Sequence, residues 1–233
     1  FVGSRGLGDV YKRQNLSRID TIKDISEQYQ EVFFTVGVHP NEAHKDKQYD
    51  DYHFIENYSN HEKCVGIGEG GLDYFYNMDN MKLQKKSLEV QINVARSTNL
   101  PMIIHSRDAD NDMIEILKSE YKNGPFRAIL HCFSSGEELA YCGLDLDFFI
   151  SFSGILTFNS AKNIQKIAKN IPLSKILVET DSPYLAPSPV RGSVNEPKNC
   201  MHTAQFLSKL RDINFLELSK ILYDNSLAVY DLS

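Results

Sequence analysis

The stretch ILVETDSPYL, Ile176–Leu185, decides how the chain is read. A short apolar run stops abruptly at Glu179 and Asp181, with Thr180 between them and Pro183 close behind. An apolar run bounded by turn residues reads as a buried strand. Carboxylates are expensive to bury unless a metal, a cation or a set of hydrogen bonds neutralises them. The end of this strand therefore points to a site.

Working outward, the same handover recurs. Runs rich in β-branched and aromatic residues lie at EVFFTVGVHP (31–40), CVGIGEGGLD (64–73), PMIIHSR (101–107), RAILHCF (127–133), DFFISFSG (147–154) and KILVETD (175–181). Helical spacing appears between several of them, as in Leu88, Ile92 and Ala95, or Ile114, Leu117 and Tyr121. After the last run, 201–210 and 216–230 read as helices, with Leu218, Ile221 and Leu222 on one face. Alternating strands and helices imply parallel strands with helical crossovers, because a parallel neighbour needs a long return connection.

His39, Glu69, His105, His131 and Asp181 each follow directly on one of these runs. In an open doubly wound sheet, only strands beside the switch point share a site. In a TIM-type (β/α)8 barrel all the carboxyl ends converge on one mouth. The expectation is therefore an α/β chain of the barrel type. Eight strands are needed and six are visible, so one or two amino-terminal strands are expected to be missing before Asn15.

The opening FVGSRGLGDVYKRQ has no apolar period and no initiating Met, so residues 1–14 are expected to be a non-native or disordered leader and 15–233 the barrel domain. With 42% hydrophobic residues, the chain has the composition of an ordinary globular core. Its net charge of -6 excludes binding nucleic acid through a broad basic surface, but not a nuclease whose metal ions neutralise phosphate locally. Cys64, Cys132, Cys142 and Cys200 show no paired spacing, and no stretch reads as a signal peptide or a spanning helix. A cytoplasmic setting follows, with no membrane association and no obligate protein partner. The sequons at Asn15 and Asn57 are then without consequence.

Taken singly, each candidate has a bland reading: a strand-end His is often a structural residue, and an Asp before Ser-Pro is often a turn or cap. As a set, two His, one Glu and one Asp on four strand ends offer the donors that suit Zn²⁺, Mn²⁺ or Mg²⁺. The motifs GVHP, GIGEGGLDY, PMIIHSRDA, LHCFS, SFSGILTF and VETDSPYLAP…RG…NEP, in that order, resemble the TatD family of metal-dependent deoxyribonucleases from about Asn15 to Ser233. The resemblance implies a two-metal barrel hydrolase cleaving DNA. It implies that Glu69 bridges the ions, His105 and His131 hold one, and Asp181 binds the other and orients or deprotonates the attacking water. Glu69 and Asp181 are thus the expected catalytic groups. Glu179 is expected to point away from the mouth or to support a neighbouring strand.

Two departures stand out. No His-x-His precedes His39, and Gly70 replaces the larger residue expected in the GE-x-GLDY motif, which is expected to loosen the turn at Glu69. His39 and Arg107 are expected to face substrate, and the loop of Arg191, Asn195 and Glu196, which resembles the family's RG…NEP segment, to face substrate or to support Asp181. Asp73 and Tyr74 line the mouth or end a loop. Phe133, Phe158 and Tyr184 are candidates for stacking on bases, with core packing favoured for Phe158. Lysines in KLQKK (82–86) read as a solvated helix face. The competing readings are a metal-dependent amide or ester hydrolase acting on a small substrate, and a catalytically impaired fragment that binds metal weakly.

Overall fold

A computed structural model describes residues 10–11, 19–43, 52–76 and 78–232. The described residues divide into two compact units, one ending at Leu130 and the other beginning at His131.

In the first unit the strands β1 (Val10–Tyr11), β2 (Phe33–Val36), β3 (Cys64–Asp73), β4 (Met102–Arg107) and β5 (Ala128–Leu130) lie side by side in chain order, all parallel. Helices α1 (Ile19–Gln28), α2 (Tyr52–Ser59), α3 (Met81–Thr98) and α4 (Asp110–Asn123) alternate with them. Val10 and Tyr11, inside the stretch expected to be a leader, pair with Phe33 and Phe34. A β-branched and an aromatic residue suit that position.

All ten residues of β3 are buried. Its glycines let a central strand approach its neighbours closely. Leu88, Ile92 and Ala95 form the buried stripe of α3, as their spacing predicts. On α4 the buried positions are Met113 and Leu117, while Ile114 and Tyr121 are only partly covered, so the face is turned by one residue. Asn99 ends α3 in the left-handed region, a conformation Asn tolerates.

The second unit holds α5 (Glu137–Asp145), β6 (Phe149–Phe152), α6 (Lys162–Asn170), β7 (Ile176–Val178), α7 (Cys200–Arg211) and α8 (Phe215–Tyr230). Strands β6 and β7 are parallel, with Ile150 opposite Ile176 and Phe152 opposite Val178. The Asn214 side chain caps α8 by accepting from the N–H groups of Leu216 and Glu217. Leu218 and Leu222 lie buried on that helix, and Asn225 donates to the carbonyls of Leu173 and Ile176. These bonds tie α8 to the start of β7, the strand that ends in Glu179 and Asp181. Among the described residues no helix is long and apolar enough to cross a membrane.

Candidate metal centre

Two groups of acidic and imidazole side chains stand at the strand ends, one in each unit. In the first unit, His39, Glu69 and His105 bring one ligand atom apiece within 4.8 Å of one another. His105 Nδ1 lies 3.0 Å from Glu69 Oε1, and His39 Nε2 lies 3.5 Å from the same oxygen. Glu69 and His39 are buried.

Each position has a local cause. Gln91, buried on α3, accepts from the Val38 N–H and donates to the Val38 carbonyl, both at 3.0 Å, which fixes the backbone one residue before His39. Gly70 makes room for that amide, because a Cβ there would come within 2.7 Å of the Gln91 amide atoms. The small residue thus seats Gln91 rather than loosening the turn at Glu69. At Gly71 (φ +153°) a Cβ would overlap the His105 carbonyl, so only glycine lets β3 and β4 meet in the observed register of Gly71 opposite His105.

Tautomers follow from the hydrogen bonds. The Asn41 backbone N–H donates to His39 Nδ1 at 3.1 Å, so in the neutral ring the proton sits on Nε2, facing Glu69. In that state His39 is a hydrogen-bond donor and not a metal ligand, although it stands in the ligand cluster. His105 is arranged differently. Its Nε2 meets Asp73 Oδ2 at 3.2 Å and its Nδ1 meets Glu69 Oε1 at 3.0 Å, and in the tautomer with the proton on Nε2, Nδ1 presents a lone pair beside Glu69. A carboxylate on the far nitrogen is the arrangement that orients an imidazole ligand for a metal.

Asp73, for which the sequence left open lining the mouth or ending a loop, holds His105. Burial alone would push its carboxyl pKa up, but the His105 ring, the Tyr76 N–H and the Asn41 amide together hold it below the usual carboxylate value. Next to it, burial and the hydrogen bond to Asp112 push the Tyr74 hydroxyl up, and Lys85 holds the Asp112 carboxyl down from 2.7 Å. Lys85, a member of the lysine run, therefore supports the Tyr74 loop.

In the second unit, His131, Glu179 and Asp181 form the other group, again within 4.8 Å. His131 Nδ1 meets Glu179 Oε1 at 2.9 Å, so Nδ1 gives its proton to the carboxylate and Nε2 keeps the lone pair. Of the two expectations for Glu179, pointing away from the mouth and supporting a neighbouring strand, the first does not hold, because its carboxylate holds the His131 imidazole. The strand-period argument failed because β7 stops at Val178, and only the Glu179 N–H still pairs, with the Phe152 carbonyl at 3.0 Å. Asp181 adopts φ +57°, a left-handed conformation that Asp tolerates better than most residues. Cys132 stands by it, its thiol 3.9 Å from Asp181 Oδ2 and 3.1 Å from the Ser153 hydroxyl. Cys64, by contrast, is a core thiol that burial pushes up to about 12.

The residues expected to face substrate fall into different settings. Asn195 is 3% exposed and donates to the carbonyls of Thr180 and Tyr184, while its oxygen accepts from the Glu196 N–H and the Asn199 amide. With both ends of its amide engaged, Asn195 clamps the loop around Asp181. Glu196 pairs with Lys198 on the surface, and Arg191 lies over the Phe158 ring at 4.1 Å. Arg107 lies over Phe75 and Tyr76. Of the expected stacking residues, Phe133 is buried edge-on against Phe152, while Tyr184 is 64% exposed.

Comparisons with known proteins give the family and the fold. Residues 6–231 match the TatD-related DNase family. The chain is 36% identical over 210 residues to the uncharacterized metal-dependent hydrolase YabD of Bacillus subtilis, covering 90% of this chain and 82% of that one. It is 38% identical over 204 residues to the uncharacterized metal-dependent hydrolase YcfH of Escherichia coli K12, covering 88% of this chain and 76% of the relative. The crystal structure of YJJV, a TatD homologue from Escherichia coli K12, superposes with a TM-score of 0.89 at 23% identity, over 97% of this chain and 87% of that one. The fold is thus the α/β fold of the TIM-barrel type. The chain belongs to the TatD family of metal-dependent hydrolases.

Proposed function

We propose that the chain hydrolyses phosphodiester bonds of DNA, with Glu69 and His105 offering one set of metal donors and His131 and Asp181 another. The observation that carries this reading is the pairing of each imidazole with a carboxylate on one nitrogen, His105 with Asp73 and His131 with Glu179, which leaves the other nitrogen of each ring for an ion. Imidazole nitrogens with carboxylate oxygens suit Zn²⁺ and Mn²⁺, and the carboxylates suit Mg²⁺. A bound divalent ion supplies Lewis-acid polarisation of a phosphoryl oxygen and raises the acidity of water.

The protein's own groups divide the remaining work. Asp181 orients the attacking water and takes its proton on a carboxylate oxygen. His39, with its proton on Nε2, donates to a phosphoryl oxygen. Arg107 and Arg191 each carry positive charge that attracts phosphate groups of the strand. Asn195 keeps Asp181 in place through the loop it clamps. The setting is a soluble one, in the cytoplasm.

The test uses the full chain with Mn²⁺, Mg²⁺ or Zn²⁺, offered a DNA oligonucleotide and, separately, a small cyclic amide. DNA cleavage that a chelator stops, and that Asp181→Asn abolishes while circular dichroism stays native, is the expected result. Wild-type rates in Asp181→Asn would remove Asp181 from the reaction. Amide hydrolysis without DNA cleavage would replace the nuclease reading by the amidohydrolase one.

A further inference from the structure

Beside the first group of donors stand two exposed rings that the reaction above does not use, under an arginine that it uses only as a charge. Phe75 and Tyr76 follow β3 directly and are 56% and 63% exposed, an unusual state for two consecutive aromatic side chains. Their rings meet edge to face, with centroids 4.8 Å apart. The Arg107 guanidinium lies over both, 3.9 Å from the centre of Phe75 and 4.8 Å from that of Tyr76. Among the described residues Arg107 has no carboxylate within ion-pair distance, so its charge is available to an anion.

The platform is wired to the donors through one carboxylate. Asp73 Oδ1 accepts from the N–H groups of Phe75 and Tyr76, each at 3.1 Å, while its Oδ2 meets His105. Arg107 lies two residues beyond His105 on β4, hence on the same face of the strand, and it pairs in register with Asp73. Exposed rings, a cation without an acid and proximity to phosphate chemistry are together the elements of a nucleotide subsite. Rings give a face for a base, and guanidinium gives a partner for the adjoining phosphate.

Resting on the phosphodiesterase reading, we infer that Phe75, Tyr76 and Arg107 form a base-stacking subsite that holds an unpaired nucleotide next to the bond being cut. An unpaired base is required because a ring can stack only on a base face that a neighbouring base does not cover. The subsite therefore selects single-stranded segments or frayed ends over intact duplex, and tolerates any base.

Binding tests this independently of cleavage. The full chain with its divalent ion is titrated with a short fluorescent phosphorothioate oligonucleotide and with its abasic counterpart of equal length and charge. The expected wild-type result is a preference for the base-bearing strand. Phe75→Leu combined with Tyr76→Leu, which keeps apolar bulk without rings, lowers that preference by roughly five- to 150-fold, the loss expected for one stacked base. Tyr76→Trp retains it. Equal binding of the two strands by the wild type, or an undiminished preference in the double variant with native circular dichroism, would overturn the inference. If the double variant misfolds, the comparison of Tyr76→Leu with Tyr76→Trp decides: equal preferences refute stacking. Failure of the nuclease reading shows differently, as a preserved preference for bases in a protein that cuts no DNA.

Discussion

Gln91→Leu tests whether the first donor group is held in place by the helix behind it. Leucine fills nearly the same volume, so packing is conserved and the lost hydrogen bonds dominate. The Gln91 amide now serves the Val38 N–H and carbonyl at 3.0 Å, and donates to the Ser87 hydroxyl at 3.1 Å. Val38 is fully buried, so both its main-chain groups lose their partners without gaining water. Each buried polar group left unsatisfied costs about 1–3 kcal/mol, which gives about 2–6 kcal/mol for the pair. Against a total stability of about 5–15 kcal/mol, that is a large fraction. Urea unfolding followed by circular dichroism measures it as a shift in midpoint multiplied by a common slope. Val38 precedes His39, so DNA hydrolysis per folded molecule falls as well. A loss below about 0.5 kcal/mol would refute the assignment, because surface substitutions reach that size without any specific mechanism.

Three further outcomes follow from the same geometry. Glu179→Gln leaves His131 without its carboxylate, and the affinity for Mn²⁺ in isothermal titration falls about 10- to 100-fold, the effect of losing such a supporting partner; an unchanged affinity would sever His131 from metal binding. Asp73 titrates below the ordinary carboxylate value in the folded chain, so its contribution to stability is complete above that value and fades as the pH falls through the folded pKa. The stability gap between wild type and Asp73→Asn, measured by urea unfolding, is therefore constant near neutrality and narrows below about pH 4; a gap that widens on acidification would contradict the shift. Asn195→Ala frees the carbonyls of Thr180 and Tyr184, and lowers both stability, by about 1–3 kcal/mol, and the rate of DNA cleavage, which thermal melts and a cleavage assay read separately.

The strands were legible because each is a dense β-branched or aromatic run between polar breaks, and all six runs recognised in the sequence contain a strand of the structure. Their parallel order followed from the helices between them. The short strand at Val10–Tyr11 was not legible, since two residues carry no period, and only the register with Phe33 and Phe34 defines them. Within the candidate site, strand-end position was enough to select Glu69, His105, His131 and Asp181. It gave no information about the groups that orient them. Asp73, Glu179 and Gln91 act through side-chain directions that depend on where a strand stops and how a helix face turns, and neither is encoded by residue type alone. For Glu179 the alternation rule misled because regular pairing ends one residue earlier. For Asn195 the resemblance left two roles, facing substrate or supporting Asp181, and its hydrogen bonds to the Thr180 and Tyr184 carbonyls favour the second.

The way Asp73 grips the segment after β3 separates two kinds of inheritance in this protein. Its Oδ1 accepts from main-chain N–H groups at positions 75 and 76, and every residue except proline offers one. The side chains there can be exchanged freely while His105 keeps its anchor on the other oxygen. Substrate choice and donor geometry can thus drift independently across descendants of this chain, and a library varied at 75 and 76 with proline left out would explore new ligands on an unaltered reaction centre.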